Sequence, residues 1–277
     1  MKYKYTLSAS VRLVDQYTGF VKTKSPQFWS DTHIELFPFP ASTTTITDLS
    51  VPNNTVLGKR AEVFFAAMIL NSTSYRLVAS QIQLITDGIT LGEMDFVVED
   101  IVSNKLIHVE LAYKFYLLDT RISNSLAKWV GPNLRDSLER KWLKLQEVQF
   151  PKLYSPSAIN ILRKLGCENQ PSHQSLCMPM QLFLPFGESK SGMEALPVGY
   201  AGRWISFNDF TNEKWNDYTF FIPEKEDWFV DPEKCEIWLS QAEVMPVLIE
   251  KNESSKSPMV WIKLKADIPT RLFVTFW

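Results

Sequence analysis

Glycine is scarce in this 277-residue chain, with ten residues. None of them falls into the G-x-G-x-x-G or G-x-x-x-x-G-K-[ST] patterns that cradle nucleotide phosphates, which makes NAD enzymes and nucleotide-dependent motors poor candidates. Histidine is scarcer still, and three residues leave little from which to build a His-rich metal centre or a Ser-His-Asp triad. The three cysteines, Cys167, Cys177 and Cys235, form neither a C-x-x-C pair nor an even disulfide framework, so reduced thiols in a cytosolic protein are expected. No apolar run approaches the roughly 20 residues of a membrane span. The basic start MKYKYTLSASVRLV lacks the continuous apolar stretch of a signal peptide. The formal net charge is -2, so contact with nucleic acid would need a local basic patch.

What the chain does have is aromatic mass, with 18 phenylalanines and nine tryptophans. Apolar spacing predicts a helix over 10–22 (Val11, Val14, Tyr17, Val21) and a mostly buried, alanine-rich helix over 57–70. Between them, 23–54 reads as an ordered loop held by Phe28, Trp29, Phe37 and Phe39. Alternation predicts strands over 75–85, 91–99 and 106–117, with a turn at Thr86-Asp87-Gly88. A short helix over 121–128 and a turn at Trp129-Val130-Gly131-Pro132-Asn133 come next. Residues 134–149 read as an amphipathic helix, with Leu134, Leu138, Trp142, Leu145 and Val148 on one side and Arg135, Arg140, Lys141 and Lys144 on the other. A helix over 157–165 ending at Gly166 and a core strand over 178–185 complete this part. Beyond a polar loop at 187–192 the chain turns aromatic and β-rich, closing with two strands around Asp267–Pro269.

The organising stretch is 91–117. Asp95 interrupts Met94-Asp95-Phe96-Val97-Val98, and Glu110 interrupts Ile107-His108-Val109-Glu110-Leu111. A carboxylate within a buried strand is costly unless paired, as by a metal or a lysine. Period two places Glu93, Asp95 and Val97 on one face, and His108, Glu110, Ala112 and Lys114 on another that can be the same face of one sheet. The plainer reading is a cross-strand ion pair on a solvated face. Glu62, early in the 57–70 helix, suits either a helix N-terminus or a cleft. His108 reads first as a hydrogen-bonded structural residue. The C-terminal aromatics suit a core, with base stacking as the sharper alternative. The basic side of 134–149 suits a solvated face or phosphate contact.

The order helix, strand, strand, strand, helix, strand, with an acid in the first helix and acids in the second and third strands, resembles the PD-(D/E)XK nuclease superfamily. Leu91-Gly92-Glu93-Met94-Asp95-Phe96, His108 to Leu117, and Trp129 to Asn133 resemble the signature of a bacterial domain-of-unknown-function family within it. The resemblance implies an α/β fold with a restriction-endonuclease-like core of helix, three-stranded meander, helix and strand. It divides the chain into an N-terminal helix and loop (1–55), the core (56–186) and an aromatic, β-rich C-terminal extension (187–277).

It further implies that Asp95 and Glu110 hold Mg2+ or Mn2+, that Glu62 is an additional helical acid, and that Gln149 stands near the site. The substrate would be nucleic acid, DNA ahead of RNA, with Arg135, Arg140, Lys141, Lys144 and Gln149 as contacts. Where the pattern acid-x-Lys requires lysine, this chain has Ala112. Lys114 lies on the same face but about 13 Å from Glu110 along an extended strand, and Lys141 is the other candidate. A Mg2+-dependent nuclease is therefore the leading expectation, and a catalytically inactive nuclease-fold module that binds nucleic acid or a protein the alternative.

Overall fold

The structure, a computed structural model, describes residues 9–29, 34–39, 49–86, 88–123, 126–167, 171, 173–187, 195–213, 215–265 and 267–277. The first eight residues, Asp87 of the expected turn, and most of the expected 187–192 loop lie outside the described residues. Among the described residues no helix is long and apolar enough to cross a membrane.

In chain order the elements begin with α1 (Ala9–Lys22), β1 (Glu35–Leu36), α2 (Leu57–Leu70), β2 (Tyr75–Thr86), β3 (Ile89–Asp100), β4 (Lys105–Leu111), β5 (Lys114–Leu118), β6 (Trp129–Val130), α3 (Leu138–Lys144), α4 (Pro156–Lys164), β7 (His173–Cys177) and β8 (Met180–Pro185). They continue as β9 (Tyr200–Ser206), α5 (Phe207–Asn212), β10 (Tyr218–Phe221), α6 (Gln241–Glu253), β11 (Met259–Leu264) and β12 (Thr270–Thr275). This is a mixed α/β protein with two sheets. Its compact units are interleaved along the chain rather than consecutive. One comprises Gln27–Tyr113 and Arg140–Pro179; the other takes the described part of Met1–Pro26, Lys114–Glu139 and Met180–Trp277.

The first unit holds a five-stranded sheet in the order β1-β7-β4-β3-β2. Strands β2, β3 and β4 form an antiparallel meander, and β7 adds parallel to β4. Gly88, at φ +76°, supplies the left-handed backbone that closes the β2–β3 turn without a side-chain clash. At the other end Asp100 Oδ1 accepts from the Val102 and Ser103 N–H groups, tying off the β3–β4 turn. Helix α2 buries Phe64, Phe65, Met68 and Ile69, and Phe65 packs on Phe96 of β3. Helix α4 begins with the Ser155 hydroxyl accepting the Ala158 N–H and ends at Gly166, again at positive φ. Its Ala158 and Leu162 pack with Ile82, Leu84, Met94 and Val97.

The second unit holds a seven-stranded sheet in the order β10-β11-β12-β9-β8-β5-β6. Its middle four strands run parallel. Strands buried on both faces read as continuous apolar runs, as in the wholly buried Met180–Pro185. Helices α5 and α6 build a core with the sheet around Phe210, Trp215, Phe220 and Leu272.

Four expectations need correction. The predicted strand 106–117 is two strands in different sheets, since β4 stops at Leu111 and β5 starts at Lys114. The core strand expected at 178–185 exists as β8 but belongs to the seven-stranded sheet. The fourth strand beside β4 is β7. Residue 121 and residues 126–128 lie in turns and 122–123 are irregular, not helix. The helix expected over 134–149 is α only from Leu138 to Lys144, then becomes a π turn over Leu145–Gln149 and a 3-10 turn over Phe150–Tyr154. Leu134, at φ +57°, and Val148 are exposed, because the continuous helical phase that would bury them does not exist.

Candidate functional site

The antiparallel register that pairs Val97 with His108 and Phe96 with Val109 continues to set Asp95 of β3 against Glu110 of β4. Cross-strand neighbours of this kind place Cβ atoms about 5 Å apart. The Leu111 N–H donates to Asp95 Oδ2 at 2.8 Å, which fixes the aspartate beside the glutamate. The two strand acids singled out by the sequence are thus brought together.

Glu110 is only 1% exposed, and each of its oxygens accepts a hydrogen bond. His108 Nε2 lies 3.0 Å from Oε1, and Gln149 Nε2 donates to Oε2 at 3.0 Å. The histidine tautomer is set from its other side. Gln174 Nε2 donates to the Phe150 carbonyl at 2.7 Å, so this atom is a nitrogen, and it also lies 3.1 Å from His108 Nδ1. Nδ1 therefore accepts and Nε2–H donates to Glu110. A wholly buried histidine becomes the fixed support of a buried carboxylate. Its hydrogen-bonded role is as the sequence suggests; its partner is the site glutamate.

Asp95 has less support. Its pKa is pushed up to about 7, first by burial and then by the charge of Glu110, with Glu62 adding to the rise and the Leu111 N–H and Lys141 opposing it. The pair is asymmetric. Glu110 has two side-chain donors, whereas Asp95 accepts the Leu111 N–H and is the carboxyl whose pKa is raised. Asp95 and burial also push the Cys177 thiol up, burial being the larger cause.

Glu62 projects from α2 and accepts from Lys59 Nζ at 2.8 Å and Gln81 Nε2 at 2.9 Å. Lys59 also donates to Glu93 Oε1 at 3.1 Å. Partial burial alone would lower the Lys59 pKa, but hydrogen bonds and charge from Glu62 and Glu93 outweigh it and raise it. Gln149 ends the π turn. An extra residue in a helical turn shifts the helical phase of the residues beyond it and is common at functional sites; here Gln149 bonds Glu110 while Val148 faces solvent. Lys152, one turn on, donates to Gln149 Oε1 and approaches the Glu93 carbonyl at 3.4 Å.

Lys114 is not part of this cluster. It starts β5 and binds Asp136 Oδ2 at 2.6 Å, within the other unit. The strand break at Ala112-Tyr113, which the extended reading of 106–117 could not show, is the reason. Arg135 is also in that unit, while Arg140 and Lys144 are exposed on α3. Of the basic residues on that segment, Lys141 is the one whose charge acts on Asp95. The Trp129–Asn133 motif serves the fold. The Pro132 carbonyl accepts from Ser257 Oγ and Trp277 Nε1, and Asn133 Oδ1 accepts from the Ser257 N–H. Gln174 and Lys152 escaped the sequence reading, because neither a five-residue strand nor a 3-10 turn has a period that marks a face.

Among the described residues no group of three or more His, Cys, Asp or Glu side chains is arranged to hold a metal ion. The donor set still suits a hard cation of the magnesium type, which commonly takes one or two carboxylates and completes its shell with water and phosphate oxygens. Each Glu110 oxygen retains a lone pair beyond its hydrogen bond.

The fold and site define a mixed α/β protein with an asymmetric carboxylate pair, buried Glu110 and half-buried Asp95, at the centre of a five-stranded sheet. Residues 40–271 match the family model of a domain of unknown function, DUF1853. The chain belongs to that family. No curated protein and no solved structure matches it.

Proposed function

We propose that this protein is a Mg2+- or Mn2+-dependent nuclease of the PD-(D/E)XK superfamily that hydrolyses phosphodiester bonds in DNA, with RNA as the secondary substrate. The observation that carries the reading is the Asp95–Glu110 pair, two carboxylates set side by side so that one holds its proton to about pH 7. A divalent cation between them would relieve both the burial and the repulsion. The order α2, β2-β3-β4, α3–α4, β7, with β7 parallel to β4, supports a restriction-endonuclease-like core.

In this reading Asp95 and Glu110 hold the cation. His108 and Gln149 orient Glu110, and Glu62 adds negative charge from α2. The chemistry such a cation supplies is an activated water and charge compensation at the phosphate. Three unpaired, buried cysteines support a cytosolic setting.

The test is cleavage of plasmid, linear and single-stranded DNA, and of RNA, with Mg2+ or Mn2+. Activity lost in both Asp95→Ala and Glu110→Ala supports the reading. Absent cleavage, or cleavage unchanged in both variants, sinks it. Ala112 in the acid-x-Lys position, with Lys114 committed to Asp136, favours a second reading, an inactive module that binds nucleic acid or a protein. Cation binding through Asp95 and Glu110 without cleavage of any of these substrates would select it.

A further inference from the structure

The 91–96 motif contains a glycine that the carboxylates do not explain. Gly92 sits at φ +139°, and a Cβ built there would come 2.5 Å from Lys152 Nζ and 2.7 Å from its Cε. The backbone there is one that L side chains rarely adopt, and the Lys152 side chain lies over the glycine, three residues before Asp95. Lys152 is half-buried and donates to two neutral oxygens, the Gln149 amide and the Glu93 carbonyl. Among the described residues no carboxylate pairs with it. This contrasts with the other amines of known partner. Lys59 is shared between Glu62 and Glu93, and Lys114 is neutralised by Asp136.

An ammonium has three N–H donors; two are used, and among the described residues the third has no acceptor. Holding a charge in partial burial without a counter-ion is unfavourable, and a nearby anion would reverse that. Lys152 is joined to Glu110 through Gln149, which donates to the glutamate and accepts from the lysine. The ammonium is therefore held in fixed relation to the acid pair by one side chain. A phosphate approaching two carboxylates needs such a cation to offset their repulsion.

We propose that Lys152 is the phosphate-binding cation of this site, held on Gly92 and aimed by Gln149. The inference rests on the nuclease reading for the acid pair, and it assigns the positive charge that Ala112 and Lys114 do not supply.

The test needs no knowledge of the substrate. Thermal unfolding of the full chain at pH 8 is followed with Mn2+ alone and with Mn2+ plus inorganic phosphate. Wild type is expected to gain stability from Mn2+ and a further increment from phosphate. Lys152→Met should keep the Mn2+ gain, which also shows that it folds, and bind phosphate about tenfold or more weakly, the loss of one charge-assisted hydrogen bond. Lys152→Arg should recover part of the affinity. Equal phosphate gain in Lys152→Met and wild type, or no phosphate gain in wild type that responds to Mn2+, overturns the assignment of Lys152 alone. No Mn2+ gain in wild type overturns the reading of the acid pair, and the inference with it.

Discussion

Strand β4, the middle of the five-stranded sheet, buries His108 and Glu110, whereas β8, inside the seven-stranded sheet, buries Met180, Leu182, Phe183 and Leu184 at 0% exposure. The one polar side chain of β8, Gln181, donates to the Trp228 carbonyl and carries no charge. The two strands reach the same burial by different physics. Apolar burial is additive and indifferent to pH. Polar burial on β4 requires a matched partner for each donor and acceptor, and that matching runs through Gln174, His108, Glu110 and Gln149. It leaves one group, Asp95, whose proton depends on the surroundings.

The contrast can be broken most severely from the apolar side. Phe183 packs edge-on against Phe273 at 4.7 Å between ring centroids, and Phe183→Ala should cost about 3–5 kcal/mol, as for other large core truncations. Urea unfolding at pH 5 and pH 8 should show the same loss at both. Glu110→Ala should cost about 2–4 kcal/mol, because it leaves the buried His108 donor and the half-buried Gln149 donor without acceptors, and it should also abolish stabilisation by Mn2+.

Asp95→Asn should move in the opposite direction. The Asp95 pKa is raised from 3.8 to about 7 in the folded chain, so the folded state binds the extra proton. That contribution is fully present below the unfolded pKa and is lost as pH rises toward 7. The asparagine variant should therefore be more stable than wild type at pH 8, by about 1–3 kcal/mol, with the gap closing near pH 4. With Mn2+ at pH 8 the order should reverse, since wild type gains the cation and the variant does not. The smallest effect belongs to Lys114→Met. Its half-exposed ion pair with Asp136 is worth less than about 1 kcal/mol, and the Mn2+ response should be unchanged.

Much of this was legible from the sequence. The 57–70 helix and the 75–85 and 91–99 strands lie where periodicity puts them, and Asp95 and Glu110 stand out because acids do not belong in buried strands. The break between β4 and β5 was not legible. Leu111-Ala112-Tyr113-Lys114-Phe115 contains no glycine, proline or turn residue, and two consecutive apolar strands read as one run. Helix α6 was missed because Pro246 interrupts it and its apolar periodicity is weak. Ser240-Gln241-Ala242-Glu243 is nonetheless a capping box in which the Ser240 N–H reaches Glu243, a signal that could have found it. Gln149 was placed by resemblance alone, since the π turn breaks the period by which a helix face is read.

That π turn has a historical meaning as well as a geometric one. A π turn is an α-helical turn with one residue too many, so Leu145–Gln149 has the form of an insertion retained rather than removed. Deleting a single residue there, such as Val148, would restore α phase up to the 3-10 turn, turning the residues beyond the deletion by roughly 100°. Gln149 would leave Glu110 and Lys152 would leave Gly92 together. A shortened chain of this kind would keep α2 and the β2–β4 meander and lose both side chains in one step, making the length of this segment, as much as its composition, a requirement of the site.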